Sequence, residues 1–349
     1  MIAISAADAV SPAIQRTRDF LFRPFSWGTF LKLGLVAVIT EGIGSNFHSS
    51  SQNGHPSGHG PVVNSPFDIP PGVIAAIVAA VLLAFLVSIL LFYLVTRLRF
   101  AYFHCLVHNV REIAPGWRYY STQAGRFFWL NLAVGLCFLL VIAVIAIPFI
   151  TGFVRFFHEI PPGGSPNFGL LAALVLPLIP IIFLLVLGGI VSDVILRDWM
   201  LPHYALENAT AGEAWSRVWA YIKAEKKQFV IYTLLRLVLP TVAVVCIFMV
   251  LAIPGIFLAG AMAVFGYGLH SAFADSTGAS AVAGILIQVF FAVIAFGFFV
   301  LAGICLGGPV ATGIREYALI FYGGRYPALG EILYPTPIPP SGSAAPRLA

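Results

Sequence analysis

Long runs of apolar residues without any charge constrain this chain more than any other feature. The run from 72 to 95 holds 24 residues and not one Asp, Glu, Lys or Arg. A helix that crosses a bilayer needs about 20 mostly apolar residues. Charged residues make up only 9% of the chain and hydrophobic residues 60%, whereas soluble domains carry roughly 25% charged residues. The sequence therefore predicts an integral membrane protein.

Six runs of this kind can be placed along the chain, and they predict an all-α polytopic membrane helical bundle. The first is short and carries Lys32 near its start and Glu41 near its end. Pro177 and Pro180 lie inside the fourth and predict a kink, because proline removes a helical hydrogen bond and crowds the preceding turn. The predicted transmembrane helices are 27–43, 72–95, 128–150, 168–196, 229–251 and 281–310.

The stretch that follows Phe229 raises a separate question of length. The run from Phe229 to Phe265 is almost free of charged residues. It is too long for one membrane span and too short for two. Pro254 and Gly255 predict a division of this run. Residues 255–265 then form either a short helix at the outer interface or a re-entrant segment, whose ends need protein or water as partners.

The distribution of Lys and Arg predicts the orientation in the membrane. Counted in the segments between spans, seventeen of these residues lie on one side and only Arg155 lies on the other, while Arg236 falls inside the fifth span. Because positively charged loops stay in the cytoplasm, both termini are predicted to be cytoplasmic and the protein to lie in the cytoplasmic membrane. The basic residues are dispersed among these segments, so nucleic acid is not predicted as a partner.

A single membrane domain is predicted for residues 1–334. The external loop at 45–71 is rich in Gly, Ser, Asn, His and Pro. Such a composition buries too little apolar area to offset the entropy lost on ordering, so this loop is predicted to be flexible. Residues 335–349 are predicted to form a disordered, Pro-rich cytoplasmic tail for the same reason.

Two cytoplasmic segments are predicted to be amphipathic helices at the membrane interface. Thr210 and Glu213 form a capping box, in which each side chain accepts the amide of the other, and it opens a helix from 211 to about 227. Trp215 and Trp219 lie on the apolar face of that helix. A second helix of this kind is predicted ahead of the first span. Aromatic and basic stretches also precede spans three and five, which suggests three helical hairpins as a repeat.

The sequence carries no catalytic motif. GxSxG, HExxH, Walker-type and EF-hand patterns are all absent, so no catalytic or cofactor-binding residue is predicted and an enzyme is not supported. His104 and His108 share a helix face, but two ligands without a third do not make a metal site. His48, His55 and His59 are interpreted as members of a flexible polar loop, and no metal site is predicted.

Charged residues at membrane depth are better functional candidates, because burying one without a partner costs several kcal/mol. Arg236 lies about 10 Å into the fifth span by helical rise, and the Asp193 to Asp198 cluster is its predicted partner. The candidate buried polar network consists of Asp193, Arg197, Asp198, Arg236, Arg315 and Glu316. It is either a structural ion network that locks helix ends or a polar pocket open to the cytoplasm.

Four motifs in the second half of the chain carry a resemblance to a known family. They are Arg197 to Pro202, Glu213 to Trp215, Tyr232 to Arg236, and Arg315 to Leu319. With them the chain resembles a bacterial family of multi-pass membrane proteins of unknown function, related to the membrane domain fused to some glycerophosphodiester phosphodiesterases. The resemblance implies a bacterial inner-membrane module that handles or senses lipid. It does not imply phosphodiesterase activity, because the His-Arg-Gly type motif is absent.

These observations favour a non-enzymatic integral membrane module, without a cofactor, that binds membrane lipids or membrane protein partners. The alternative is a transporter or channel for a small solute or lipid. Prolines inside the spans favour this alternative, because the backbone groups that they free often line cavities. The shortage of buried carboxylates argues against coupling to protons or sodium.

Overall fold

A computed structural model describes residues 4–42, 71–158, 168–273 and 279–334, and within these ranges the chain forms helices and no strand. Two short segments are π-helical, Val38–Gly42 and Ile195–Met200. The α-helices are α1 Val10–Phe22, α2 Trp27–Ala37, α3 Pro71–Val107, α4 Ile113–Tyr119, α5 Ser121–His158, α6 Phe168–Val175, α7 Leu178–Val194, α8 Leu201–Glu207, α9 Ala211–Ala224, α10 Lys226–Phe273, α11 Ala279–Gly323 and α12 Pro327–Leu333.

Five helices are long and apolar enough to cross a membrane. They are Gly72–Val107, Ser121–Phe156, Leu171–Glu207, Lys226–Met249 and Val282–Gly323. Their most apolar stretches leave almost all side chains exposed, as expected of surfaces that a bilayer solvates. The prediction of an all-helical fold with apolar, membrane-length helices is therefore confirmed for the described residues, and these helices match the second to sixth predicted spans.

The first predicted span, 27–43, is not among those five helices. It forms α2, of 11 residues, followed by the π-helical segment Val38–Gly42. Together these cover about 24 Å, less than the roughly 30 Å of a hydrocarbon core. Within this segment the Thr40 hydroxyl donates to the carbonyl oxygen of Val36 at 2.8 Å, a bond that competes with the regular helical pattern. The count of six spans stays a prediction.

The prediction that Pro254 and Gly255 divide the fifth apolar run is wrong. α10 continues as one helix of 48 residues from Lys226 to Phe273, so 255–265 is not a separate short helix. One missing amide hydrogen bond does not end a helix in apolar surroundings, because neighbouring groups take up the freed carbonyl. In the fourth span, by contrast, α6 ends at Val175 and Pro177 is the N-cap of α7, so the predicted kink is a break in the helix.

Two other predicted regions fall partly or wholly outside the described residues. The loop at 45–71 lies outside the described residues except for its last residue, which begins α3. The tail at 335–349 lies outside them altogether. The capping box lies within them and is confirmed for its glutamate: the Glu213 carboxylate accepts the Thr210 amide at 2.9 Å, and α9 begins at Ala211.

The chain divides into two compact units. The first comprises residues 1–41, 104–111 and 217–349, and the second comprises 42–103 and 112–216. In the first unit α1, α2, α10 and α12 all pack on α11. α2 and α11 touch backbone to backbone, since a Cβ on Gly308 would come within 2.7 Å of the Gly34 Cα. Small residues allow this close approach of two membrane helices.

Aromatic rings form the core of each unit. In the first unit the rings of Tyr232 and Phe321 stack with centroids 4.4 Å apart, and Tyr317 stacks on Tyr232 at 5.0 Å. In the second unit Phe127 packs edge-on against Phe100 at 5.5 Å and Tyr204 at 5.2 Å. All six rings are buried. Both aromatic clusters lie near the helix ends that carry the basic residues. The buried core of each unit is therefore next to the apolar spans and not in their middle.

Candidate functional site

A buried carboxylate lies at the centre of the polar residues in the first unit. The side chain of Glu316 is fully enclosed, and its Oε2 lies 3.1 Å from the Nε of Arg16, which is 24% exposed. This contact is an ion pair whose alignment falls outside hydrogen-bond geometry, and the Glu316 oxygens have no hydrogen-bond partner within the described part of the chain. Arg16 also donates to the Leu106 carbonyl oxygen at 2.7 Å. The guanidinium is thereby held between two elements.

The residues that follow Glu316 hold the amino-terminal segment against α11. The Tyr317 hydroxyl donates to the Ala6 carbonyl oxygen at 3.0 Å. Arg325 donates from Nε and Nη2 to one Glu225 oxygen, at 2.9 and 2.7 Å, and from Nη1 to the Ile4 carbonyl oxygen at 3.1 Å. These bonds connect residues that are distant in sequence. The Arg325–Glu225 pair was missed by the sequence reasoning, because both residues lie outside the predicted spans.

Arg236 has a partner that the sequence reasoning did not predict. Its Nη2 donates to the Glu41 carboxylate at 3.0 Å, and the two side chains are 13% and 7% exposed. Glu41 lies in the π-helical segment after α2. This segment brings a carboxylate to the depth of the cation on α10. Buried opposite charges on neighbouring helices offset part of each other's desolvation cost.

The aspartate cluster lies in the second unit. Arg197 is 2% exposed, and its Nη1 donates to Asp193 at 2.8 Å. Asp198 is also buried, and both Arg197 and Asp198 belong to the second π-helical segment. Of the six predicted network residues, Asp193, Arg197 and Asp198 are therefore in the second unit, and Arg236, Arg315 and Glu316 are in the first. A single network of all six stays a prediction.

Three buried arginines recur along the chain at corresponding places. Arg99, Arg197 and Arg315 are each no more than 6% exposed. Each follows a Leu or Ile near the carboxyl end of a long apolar helix, and an aromatic residue follows within two positions. The sequence reasoning missed Arg99, and this spacing is the signal that could have found it. The recurrence agrees with the predicted repeat of three hairpins, which stays a prediction.

The histidine pair at the end of α3 lies in ring contact, but no further ligand among the described residues joins it. The rings of His104 and His108 lie 4.5 Å apart between centroids. Among the described residues no group of three or more His, Cys, Asp or Glu side chains could hold a metal ion. His48, His55 and His59 lie outside the described residues.

A cleft of about 580 Å³ opens beside the Arg16–Glu316 pair in the first unit. Half of its lining is apolar, and its polar lining consists of Gln15, Arg16, Asp19, His108, Asn109 and Tyr334. The pKa of Tyr334 is raised, mainly by burial; Arg16 opposes the shift and Glu316 adds to it. This phenol therefore stays protonated near neutral pH and can donate a hydrogen bond into the cleft.

The five apolar, membrane-length helices indicate a membrane location for this helical protein. The chain belongs to a family of unknown function, DUF7544, whose model matches residues 4–332. No curated protein and no solved structure matches the chain. The family match covers nearly all of both units. The relation to the membrane domain of glycerophosphodiester phosphodiesterases stays a prediction from the four sequence motifs.

Proposed function

We propose that this protein is a non-enzymatic membrane module with six spans and cytoplasmic termini, which binds membrane lipids or membrane protein partners at its cytoplasmic side. The observation that carries the proposal is where the folded core lies. Buried ion pairs and aromatic stacks lie near the helix ends that carry the basic residues, while the apolar middles of the helices stay exposed. Anchoring alone does not require such a core, whereas a binding surface needs rigid support.

In this proposal α2 and its π-helical segment form the first span along the chain, which brings the count to six. Glu41 would be costly inside a bilayer by itself. The 3.0 Å pair with Arg236 reduces that cost, and close packing on α11 at Gly308 shields the segment. A short span of this kind is tolerated where the bilayer thins or flanking residues reach the interface.

Exposed aromatic residues support an interfacial position for the helices next to the spans. Phe22, Phe25 and Trp27 are exposed where α1 joins α2. On α9, Trp215 and Trp219 are exposed, while Ala214 and Val218 are buried. Amphipathic aromatic rings favour the headgroup level of a membrane. We place α1 and α9 at the cytoplasmic surface of a bacterial inner membrane.

Topology reporters test the arrangement in the membrane. A reporter fused after Ala349 and one inserted near Gly60 are expected to report opposite sides. A carboxyl terminus outside the cell would overturn both the six-span count and the proposed orientation.

Lipid retention and crosslinking test the binding function. The full-length protein, extracted in mild detergent and examined by native mass spectrometry, is expected to retain membrane lipids. In-cell crosslinking with a membrane-permeable reagent is expected to capture any membrane partner. A protein that retains no lipid and forms no crosslink would refute the proposed module.

A transporter is the second candidate, and one observation favours it. In the Glu41–Arg236 pair, Glu41 lies where the helix that begins with α2 changes from α to π geometry. Broken helices with charged residues commonly build solute sites. Proteoliposomes containing the protein should then exchange a small solute, and Glu41→Gln should abolish the exchange. Impermeable proteoliposomes would exclude this candidate for the solutes tested.

A further inference from the structure

We infer that the cleft in the first unit binds a phosphoethanolamine group, carried by a phospholipid at the cytoplasmic surface. This inference rests on the proposed lipid-binding function and assigns it a site and a headgroup. The cleft lies between α1, the end of α11, the turn after α3 and the residues at the end of α12. All of these belong to the first unit.

One face of α1 supplies half of the polar lining residues. Pro12, Gln15, Arg16 and Asp19 follow one another at intervals of three, one and three residues, which places them along one side of a helix. The turn after α3 contributes His108 and the left-handed residue Asn109, whose φ is 53°. Donors and acceptors therefore face a common space from two elements.

The polar groups of this lining are available to a ligand. The side chains of Gln15, Asn109 and Tyr334 make no hydrogen bond to the described part of the chain, and the same holds for Nη1 of Arg16. The other nitrogens of Arg16 are held by Glu316 and by Leu106. The guanidinium is thus held in place while Nη1 stays available. This amino group can donate a charge-assisted hydrogen bond to a phosphate oxygen.

The charges of the cleft favour a zwitterion. Arg16, which is also paired with Glu316, provides a positive charge, and the Asp19 carboxylate, which is also paired with the exposed Arg23, provides a negative charge one helical turn away. A headgroup that carries only a phosphate would leave Asp19 facing an anion. A choline group has no N–H to donate to Asp19, and quaternary ammonium ions prefer cages of several aromatic rings. A primary ammonium two carbons from a phosphate ester satisfies both Arg16 and Asp19.

Short-chain lipids with one acyl composition and three headgroups test the inference. Full-length protein in detergent is titrated with phosphatidylethanolamine, phosphatidylcholine or phosphatidylglycerol, and bound lipid is measured by native mass spectrometry. Phosphatidylethanolamine is expected to bind about tenfold tighter than the other two, the usual effect of one charge-assisted hydrogen bond. Equal binding of all three, or tighter binding of phosphatidylglycerol, would overturn the inference.

Asp19→Asn is the decisive variant. Its partner Arg23 lies 3.3 Å away and both side chains are largely exposed, so the fold should survive its loss. The variant is expected to lose about tenfold in affinity for phosphatidylethanolamine and little for the other lipids. Asp8→Asn, which removes the same charge outside the cleft, should change nothing. An equal loss for all three lipids, or no loss at all, would contradict the assigned role of Asp19.

Soluble glycerophosphoethanolamine separates the two sources of the headgroup. Weak competition by this compound supports a membrane lipid as the ligand, whereas competition as strong as that of the short-chain lipid supports the same site with a free ligand. If the retained lipid depends neither on the headgroup nor on Asp19, the assigned site is wrong and the proposed lipid-binding function still stands. Absence of any retained lipid would refute both.

Discussion

Removal of Arg236 tests the ion pair at membrane depth. In Arg236→Leu the Glu41 carboxylate, 7% exposed and formerly 3.0 Å from the guanidinium, loses that contact. Loss of one partner of a buried pair costs about 3–5 kcal/mol in soluble proteins. The cost has a ceiling, because a stranded carboxylate can take up a proton, and protonating an ordinary glutamate at pH 7 costs about 3–4 kcal/mol. We expect a loss near 3 kcal/mol at pH 7 and a smaller loss at pH 5.

The double variant separates the pair from the individual residues. Glu41→Gln with Arg236→Leu should be destabilised by less than the sum of the two single variants, since neither a buried carboxylate nor a buried cation remains. Polar pairs in membranes have an average coupling of about 0.6 kcal/mol and a maximum near 1.7, which sets the range expected for the interaction energy. Arg18→Leu is the matched control. It removes an exposed cation from α1 and should change stability by less than about 0.5 kcal/mol.

The assay is unfolding of the purified full-length protein from mixed micelles by increasing SDS, followed by near-ultraviolet circular dichroism. Unfolding must be reversible for the free energies to be compared. A coupling energy of zero between Glu41 and Arg236 would refute the reasoning. Equal losses for Arg236→Leu at pH 7 and pH 5 would show that the carboxylate is not what makes the variant unstable.

Three further predictions concern packing, capping and the membrane interface. Gly308→Ala should destabilise by about 1–3 kcal/mol, because its Cβ would lie 2.7 Å from the backbone of α2, whereas Gly303→Ala, with no atom within 4 Å, should be neutral or slightly stabilising in the same unfolding assay. The Thr210 amide lowers the pKa of Glu213, so its contribution to α9 should be present above the ordinary glutamate pKa and vanish as pH falls through the lowered value; Glu213→Gln should remove this pH dependence from a thermal melt. Trp215→Glu with Trp219→Glu should lower thermal stability while carbonate extraction still finds the spans inserted, and an unchanged melting temperature would place this face in water.

Local signals were sufficient for much of the architecture. Apolar runs of about 20 residues predicted the five membrane-length helices, because hydropathy is a property of each segment by itself. Thr210 and Glu213 are three residues apart, and the helix start at Ala211 follows from that spacing alone. Pro177 likewise predicted a kink, and α7 begins directly after it. The prediction from Pro254 was wrong. α10 continues past this proline, because a single proline in a long apolar segment does not end a membrane helix.

The partners of the buried charges were decided by the tertiary structure. Glu41 and Arg236 are 195 positions apart, and Arg16 and Glu316 are 300 apart. Nothing in the sequence near either residue indicates which helix face will meet it. Their pairing depends on the register in which helices pack, and close contacts such as that between Gly34 and Gly308 fix this register.

The sequence by itself thus determined that this chain is a helical membrane protein, where most of its long helices lie, and that its charges at depth need partners. Each of these follows from the free energy of transferring a segment between water and lipid, which depends on composition and order along the chain. The choice of partners and the cleft beside Arg16 came only with the folded structure. Both arise from packing between helices, where small changes in rotation or register bring different side chains together.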